Sequence, residues 1–527
     1  MFNSQVVQQT ETLEIEIIGE ASLIHRHTSV MLDVKTRANE IEFFNIIVDE
    51  SPIIPYEIYR RYVAGSPKGY LTISGDTVGP TFKDDEPVSL ETAFPTGHGR
   101  YGKGTEFHAF NLALNTWQLH YLRLTNQLTD TNVDLKKRVF ERMNEEYTGV
   151  MRRFTSHGSW RNWDHSRESV WLSAWCLRVL YPVSFQDWED FIYIDPQVFG
   201  NAVMWLLNYQ NTDGAFVEAP DSVDTPLHYA MRSSASANNN SAHVALTAHV
   251  LLALDGAAEL LTGHVKQYCS TGRQRALRYL ERHLNNLRDP YEVAIVTYAL
   301  AKSRSPEADS AMAMLMRHKR DEGGFVYWSR TAIKPNRVRY EFNRPFLEAK
   351  DRQLNDALAV EATGYALLSL FQLEGGGITI LQDEIVRWLN TMRQGVGGFI
   401  STVDTIVALE ALVIYSYNNN IKDLTKMTVS VELADSNITQ DFNIDRDGIS
   451  MDRTLDIPNV WGTVNLFAKG RGQALAQMDL TYGVDVESRR DVAPKDCFDL
   501  KIKEFYHGRN KSELVTHSCF RSSHYNS

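Results

Sequence analysis

The chain has 527 residues, of which 54 are basic and 66 are acidic, so its formal net charge is −12. Apolar residues make up 43% of the chain and charged residues 23%, a globular composition that excludes a largely disordered protein. No apolar run approaches the roughly 20 residues of a membrane-spanning helix, and no block of lysine and arginine indicates nucleic-acid binding.

Two regions of the chain predict β-strands, and a long helical region separates them. Residues 1–75 and 425–487 are rich in β-branched and aromatic residues, which are typical of strands. Between them, apolar residues recur at helical spacing in about eleven segments, beginning with residues 107–128 and 133–154. This order indicates one β-domain that is split by a helical insertion.

The helical region contains an internal repeat in which glycine precedes an aromatic residue. Its four copies are HGSW, TDGAF, DEGGF and GVGGF, at residues 157–160, 212–216, 321–325 and 395–399. Glycine can end a helix in the left-handed conformation, and the aromatic side chain then turns back into the core. We therefore expect positive φ angles at Gly214, Gly324 and Gly398. Repeated helical hairpins that close into a ring bury a continuous core, so the repeat predicts an α/α toroid of about six hairpins.

Two phosphate-binding motifs are matched in their letters but not in their context. Residues 97–102 fit the GxGxxG pattern, and residues 97–103 resemble the start of a P-loop. The preceding segment does not predict a buried strand, and Gly104 stands where a P-loop has the Ser or Thr that holds magnesium. We interpret the segment as a flexible glycine loop before a helix and expect no cofactor.

The histidines and acidic residues show no metal-binding spacing. His25 and His27 alternate on a predicted strand, His157 and His165 flank a loop, and neither HExxH nor a Cys/His pattern occurs. The acidic pair at residues 84–85 is typical of a solvated turn. We expect no metal site.

The cysteine content is low. The four cysteines are too few for a disulfide scaffold and form no CxxC pair; they are Cys176, Cys269, Cys497 and Cys519. Cys176 lies in the apolar run WLSAWCLRVL, which favours a buried free thiol. The sequence leaves the pairing of these residues open.

A helical toroid is compatible with enzymes as well as with recognition proteins. Terpene cyclases, prenyltransferase β-subunits and some glycosidases use this fold, and QNTDGAF resembles a repeat of the cyclases. Such an enzyme needs acidic residues that converge on its cavity, but the sequence contains neither DxDD nor DDxxD. The fold alone does not decide between the two classes.

Five stretches together resemble the α-2-macroglobulin/complement family of thioester-containing proteins. They lie at residues 70–80 (YLTISGDTVGP), 194–219, 360–371 (VEATGYALLSLF), 385–412 and 497–508. In the fourth stretch the pattern GGFxSTxDTxVALxAL is nearly intact, although Val403 replaces the usual Gln. The resemblance extends over nearly the whole chain.

The resemblance implies a multidomain α + β protein with a specific order of domains. It implies a β-sandwich CUB domain that is split between residues 1–70 and 420–490. A thioester-domain-like α/α toroid of six hairpins is inserted at residues 71–419. Residues 491–527 begin a β-sandwich receptor-binding domain, which is cut short, so we expect the chain to be the C-terminal portion of a longer protein.

This chain lacks the residue types that form the family's thioester. The family has GCGEQ, where Cys and Gln form the bond, and this chain has Gly97-His98-Gly99-Arg100-Tyr101. An alternative alignment, which allows a short insertion before the first helix, places Lys103-Gly104-Thr105-Glu106-Phe107 there. Neither alignment supplies a thiol and a side-chain amide. We therefore expect the family's covalent attachment chemistry, and any catalytic residue for it, to be absent.

The position of the family's catalytic histidine is matched by His228, in the segment Pro226-Leu227-His228-Tyr229-Ala230-Met231. In active relatives this imidazole attacks the thioester. Because no acyl group is expected here, we interpret His228 as a vestigial polar residue that hydrogen-bonds at a domain interface.

The resemblance is greatest to the branch of insect macroglobulin complement-related proteins, which lack the thioester. It implies a secreted, non-catalytic protein of innate immune recognition and phagocytosis, or of septate junctions. The implied partners are microbial or cell-surface ligands, a phagocytic receptor or junction proteins.

Endopeptidase inhibition, another family property, needs N-terminal macroglobulin domains and a bait region that are not in this chain. No signal peptide is visible in the first residues, as expected for a C-terminal portion. The alternative is a toroidal enzyme of the terpene cyclase/prenyltransferase type.

Two sets of surface residues follow from this interpretation. Segment 98–108 is expected to be a flexible, solvated loop, in which Arg100, Tyr101 and Lys103 contact anionic or glycan ligands. Glycosylation sequons begin at three asparagines, namely Asn239, Asn437 and Asn510.

Overall fold

The computed structural model describes residues 22–35, 38–46, 63, 65–79, 82, 86–94, 103–128, 133–220, 243–334, 338–341, 344–349, 356–375, 377–419, 423–434, 436–458, 462–484, 499–506 and 512–519. The chain divides into two compact units. One unit comprises Met1–Ile24, Val48–Lys68 and Thr481–Ser527, and the other comprises His25–Ile47 and Gly69–Leu480.

Twelve α-helices occur in the described part of the chain. They are α1 (Leu90–Ala93), α2 (Thr105–Leu124), α3 (Val133–Met151), α4 (Val170–Val183), α5 (Pro196–Leu207), α6 (Val244–Leu260), α7 (Gly263–His283), α8 (Pro290–Lys302), α9 (Ala308–Arg317), α10 (Asp356–Glu374), α11 (Ile380–Thr391) and α12 (Thr402–Asn418). Across these described residues, no helix combines the length and the apolar character that a bilayer crossing requires.

The even-numbered helices α2 to α12 contact one another in a closed cycle, in which α12 returns to α2. We call these six helices the inner ring. The other long helices, α3, α5, α7, α9 and α11, each contact members of this ring. Helix α10 buries 15 of its 19 residues, whereas α7 buries 5 of its 21 residues. This contrast identifies α10 as an all-round buried helix and α7 as an amphipathic outer helix.

Two helices begin with the same short signal. Asp195 and Asp289 each precede a proline, and each carboxylate accepts a hydrogen bond from the backbone N–H two residues later, at 2.8 and 3.4 Å. The carboxylate satisfies a helix-terminal donor, and proline has the φ angle that the first helical position needs. Helices α5 and α8 therefore begin where the sequence dictates.

The repeated glycine-aromatic turns are attached to the inner ring by side-chain hydroxyls. In each turn, the backbone N–H of a buried aromatic residue donates to a Ser or Thr Oγ at 2.9–3.1 Å; the pairs are Trp160–Ser173, Phe216–Thr247, Trp328–Thr363 and Phe399–Thr405. In the third copy this residue is Trp328, and not Phe325, because the hairpin of β4 (Arg320–Glu322) and β5 (Phe325–Tyr327) intervenes.

The predicted positive φ angles are confirmed at Gly214 and Gly324, with values of +103° and +80°, but the prediction is wrong at Gly398. A Cβ atom at Gly398 would lie 2.7 Å from the Ala93 carbonyl oxygen and 2.6 Å from the Phe94 ring. Close packing against α1, and not a left-handed backbone, therefore requires glycine there.

Strands from both sides of the helical region pair with one another. A four-stranded sheet has the order β1 (Ser22–Asp33), β12 (Gln473–Val484), β3 (Lys68–Gly75), β10 (Asp452–Ile457). A six-stranded sheet has the order β6 (Val338–Glu341), β7 (Arg344–Leu347), β2 (Asn39–Ile46), β11 (Gly462–Arg471), β8 (Lys426–Leu433), β9 (Ile438–Asp445). Strands β13 (Asp499–Tyr506) and β14 (Ser512–Cys519) form an antiparallel hairpin.

The sheets include residues that lie within the boundaries expected for the helical domain. Strand β3 continues past residue 70 and pairs with β10 from Gly69 to Ser74. The hairpin β6–β7 comes from the middle of the helical region, and Leu347 pairs in parallel with Phe44 of β2. The helical region thus contributes strands as well as helices to this unit.

The turn after β3 connects the four-stranded sheet to the inner ring. Asp76 has a φ of +92°, and its Oδ2 accepts hydrogen bonds from the hydroxyls of Tyr121 (3.1 Å) and Ser416. The buried guanidinium of Arg393 donates to the carbonyl oxygen of Val78 at 2.6 Å, and burial lowers the pKa of Arg393 to about 9. Helices α2 and α12 and the segment after α11 are thereby held on one turn.

Substitution of Gly214 by alanine is expected to lower the free energy of unfolding by about 2 kcal/mol or more. The new Cβ would lie 2.2 Å from the carbonyl oxygen of Arg275, in addition to the strain of the positive φ. The matched control is Gly324→Ala, whose nearest neighbour is the flexible Arg387 side chain at 3.7 Å. Only backbone strain of about 1 kcal/mol is expected there. Urea denaturation measures both, and equal losses would contradict the close approach at Gly214.

Candidate functional site

The structure describes only some of the residues expected in the candidate site. His98, Arg100, Tyr101 and His228 lie outside the described residues. The alternative thioester alignment, residues 103–107, is described and spans the start of α2. Because helix α2 begins at Thr105, the expectation of a flexible loop up to residue 108 is wrong for its last four residues.

The start of α2 is capped by a neighbouring loop. The Thr105 N–H donates to the carbonyl oxygen of Asn162 at 3.0 Å, and the Glu106 N–H donates to Asn162 Oδ1 at 3.1 Å. The Thr105 hydroxyl donates to the Arg161 carbonyl oxygen at 2.5 Å. These bonds use donors that a helix N-terminus otherwise offers to a ligand.

The two positions that the alternative alignment equates with the family's Cys and Gln are Gly104 and Phe107. A Cβ atom at Gly104 would lie 2.7 Å from Asn162 Oδ1 and 3.2 Å from the Trp163 ring. Phe107 is buried in the hydrophobic core with 8% of its surface exposed. A thiol and an amide at these positions would have to displace the capping loop and enter an apolar core.

Acidic side chains connect the start of α2 to the start of α12. The Thr402 hydroxyl donates to Glu106 Oε1 at 2.7 Å, across the point where the inner ring closes. Asp404 accepts from the N–H groups of Ile400 (3.0 Å) and Ser401 (2.7 Å). Burial raises the pKa of Asp404 to about 7, in opposition to these hydrogen bonds. Both carboxylates have structural partners.

Lys103 and His108 flank the start of α2 in different environments. The Lys103 side chain is exposed, and its carbonyl oxygen accepts from Arg153 Nη1 at 3.2 Å. His108 is on the helix, and its Nδ1 lies 2.6 Å from Glu146 Oε2. Lys103 is thus the one described residue of the three proposed ligand contacts, and it faces solvent.

A cavity of about 520 Å³ lies at the opposite end of the inner ring, among the C-terminal turns of its helices. The cations Arg123, Arg178 and Lys302 line it together with the acids Glu259 and Glu410. Each of these two carboxylates accepts a hydrogen bond from a tyrosine hydroxyl. The described lining therefore has more positive than negative groups. Its α2 residues begin at Trp117, about 18 Å along the helix from Thr105.

The described thiols are buried. Cys176 and Cys269 are free and buried, and burial raises the pKa of the Cys269 thiol to about 11 and that of Cys176 well above its usual value. Buried thiols with raised pKa values are poor nucleophiles. Cys497 and the side chain of Cys519 lie outside what the structure describes.

Of the three sequons, the structure describes the one at Asn437. This residue is exposed in the turn between β8 and β9, with a φ of +49°. Asn239 and Asn510 lie outside the described residues.

The structure brings together three potential metal ligands that sequence reasoning did not group. His25, His27 and Asp479 form the one cluster of this kind in the ranges that the structure describes. The histidine pair is visible in the sequence, but Asp479 is 452 residues from His27 and has no local signal.

Comparison with known proteins decides the family. The family model of the A-macroglobulin TED domain matches residues 71–415, which is more than half of the chain. The chain belongs to the α-2-macroglobulin family of thioester-containing proteins. Its helical and strand content fits the mixed α/β, multidomain organisation of that family.

Curated relatives match over most of this chain. Complement C3 of Oncorhynchus mykiss is 25% identical over 511 residues, covering 93% of this chain and 26% of the relative. Complement C3 of Lethenteron camtschaticum is 27% identical, covering 82% and 24%. Ovostatin of Gallus gallus is 25% identical, covering 90% and 31%. The chain thus spans about a quarter to a third of the length of these relatives.

Removal of the Asn162 side chain is expected to destabilise the start of α2. Asn162→Ala leaves the Glu106 N–H without its acceptor, and the expected loss is about 1 kcal/mol. Asn144→Ala is the matched control, since this exposed residue donates only to carbonyl oxygens. Thermal unfolding and hydrogen exchange at residues 105–108 measure the effect. A loss no larger than that of the control would contradict the capping role.

Proposed function

We propose that this chain is part of a secreted, complement-like α-macroglobulin protein that binds surfaces without forming a thioester. The observation that supports the proposal is the start of α2, where the alternative alignment sets Gly104 and Phe107 against the family's Cys and Gln. The capping loop and the core occupy the space around both residues. The other alignment, at residues 97–101, also lacks both side chains.

The domain assignment is part of this proposal. We assign the inner ring and its outer helices to an α/α toroid of the thioester-domain type. The sheets that join strands from both ends of the chain correspond to a split CUB domain, and the hairpin β13–β14 to the beginning of a receptor-binding domain. The closed helix cycle and the pairing of β2 with β11 support this assignment.

The biological role follows from the family. The relatives are named complement C3 and ovostatin, which favours innate immune recognition, with microbial surfaces and a phagocytic receptor as partners. A second proposed role for the same noncovalent binding is the organisation of septate junctions, as in the insect macroglobulin complement-related branch. We also propose endopeptidase inhibition, but only as a general property of the family to which the chain belongs. Exposure of Asn437 is compatible with a glycan in a secreted protein.

The alternative function is an enzyme of the terpene cyclase or prenyltransferase type. Such an enzyme requires acidic residues that converge on a cavity. The 520 Å³ cavity instead has three cations, and its two carboxylates are bound to tyrosines. This charge pattern favours the non-enzymatic function. In that case His228 has no acyl group to attack and is a vestigial residue.

Labelled methylamine is expected to remain unincorporated, and heating is expected to cause no cleavage between residues 97 and 107. The reason is that an acyl-transfer bond needs the thiol and amide that both alignments lack. A thioester-bearing relative treated in parallel is the positive control. Mass-spectrometric detection of a labelled adduct in this segment would overturn the proposal.

Noncovalent binding by the segment before α2 is tested separately. The triple variant Arg100→Ala/Tyr101→Ala/Lys103→Ala is expected to bind microbial cells or junction partners more weakly than the wild type, because it removes two cations and a ring. A control that removes two exposed cations from helix α7, Lys266→Ala/Arg278→Ala, is expected to bind like the wild type. Equal binding by all three proteins would place the recognition surface elsewhere.

A further inference from the structure

Strands β1 and β12 bring distant parts of the chain together on one face of the four-stranded sheet. At one end, the Val34 N–H donates to the Gly472 carbonyl oxygen at 3.1 Å. Further along, His27 meets Asp479, so the two strands run antiparallel. His25 and His27 are two residues apart on β1, and their side chains therefore share a face.

Three potential ligand atoms converge at this place. His25 Nε2 lies 2.8 Å from Asp479 Oδ1, and His27 Nδ1 lies 2.7 Å from the same oxygen. All three atoms lie within 4.8 Å of one another. The exposed fractions of the side chains are 6%, 2% and 9% for His25, His27 and Asp479. The cluster is preformed and nearly shielded from water.

Polar atoms near the cluster lack partners. His27 Nε2 and Gln477 Oε1 are buried and have no hydrogen bond within the described structure. Gln477 lies two residues before Asp479 and so projects from the same face of β12. One carboxylate oxygen thus faces both imidazoles in a buried place that holds more polar atoms than partners for them, which is unfavourable unless a further group binds there.

We propose that His25, His27 and Asp479 bind one divalent transition-metal ion, of which zinc is the best match. Two imidazole nitrogens and a carboxylate oxygen are donors that zinc prefers, and a water molecule takes the fourth position. With bonds of about 2.0–2.1 Å, tetrahedral ligand atoms stand about 3.3 Å apart. The contacts of 2.7 and 2.8 Å therefore lengthen by about half an ångström, within the reach of side-chain rotation.

The role of this ion is structural. Its ligands come from the strands on either side of the helical region and are 452 and 454 residues apart in the sequence. Because the ligands meet only in the folded chain, the ion favours the folded state and holds β1 against β12.

The zinc content of the purified chain tests the proposal directly. The chain is freed of metal with a chelator, dialysed against zinc and analysed by elemental mass spectrometry. The wild type is expected to retain about one zinc ion per chain more than Asp479→Asn, which keeps an acceptor oxygen but loses the negative charge. Cobalt is expected to give the visible d–d absorption of a four-coordinate site in the wild type only.

Two further measurements separate binding from folding. His157→Ala removes an exposed histidine outside the cluster and is expected to retain as much zinc as the wild type. Zinc is expected to raise the melting temperature of the wild type and of His157→Ala, but not that of Asp479→Asn. Circular dichroism establishes that each variant is folded. Equal zinc content in the wild type and Asp479→Asn, or no zinc in either, would overturn the proposal and leave a hydrogen-bonded triad.

Discussion

The buried guanidinium of Arg393 is the interaction on which the joining of sheet and ring depends. It donates to the carbonyl oxygens of Thr77 (3.3 Å) and Val78 (2.6 Å). A Cβ at Gly79, whose φ is +75°, would lie 2.7 Å from Arg393 Nη1, so only glycine allows this approach. The stretches around residues 70–80 and 385–412, which resemble the family most clearly, are thus two halves of one contact. Among the described residues this buried charge has no ion pair, so it depends on these carbonyl oxygens and on Asn390 Oδ1, which accepts at 2.8 Å. This dependence accounts for the constraint on both stretches.

Under the proposed function, the start of α2 keeps the family's scaffold without its thioester chemistry. Helix N-termini present unpaired N–H groups and attract anions, but here the loop at Asn162 takes up the donors of Thr105 and Glu106. Phe107 adds to the core where the alternative alignment has a reactive amide. The result is a helix start that stabilises the ring closure through Glu106 and Thr402. Any binding by this region must then come from exposed groups such as Lys103.

Sequence periodicity predicted the helices and their repeated turns, because each depends on neighbours within a few residues. It placed the first ring helix at residues 107–128, whereas α2 begins at Thr105 because the cap is supplied by Asn162, a distant residue. The hairpin β6–β7 was not predicted, since each of its strands is only four residues long and β7 contains a proline. Gly398 followed the repeat pattern but not its backbone angle, since the neighbouring Phe94 sets the constraint. The cluster at Asp479 depends on a pairing with β1 that no local pattern encodes.

Closure of the ring is also what permits the sheets to form around so long an insertion. Loop-closure entropy grows slowly with length, by about 0.6 kcal/mol for each doubling, so several hundred residues between paired strands are tolerable. The folded ring reduces even this cost, because α12 returns to α2 and brings the ends of the insertion near each other. The Asp76 carboxylate binds both helices, through Tyr121 and Ser416, at the exit of β3. Ring and sheets therefore stabilise each other. The metal ion proposed between β1 and β12 would act on two strands that the ring has already brought close together.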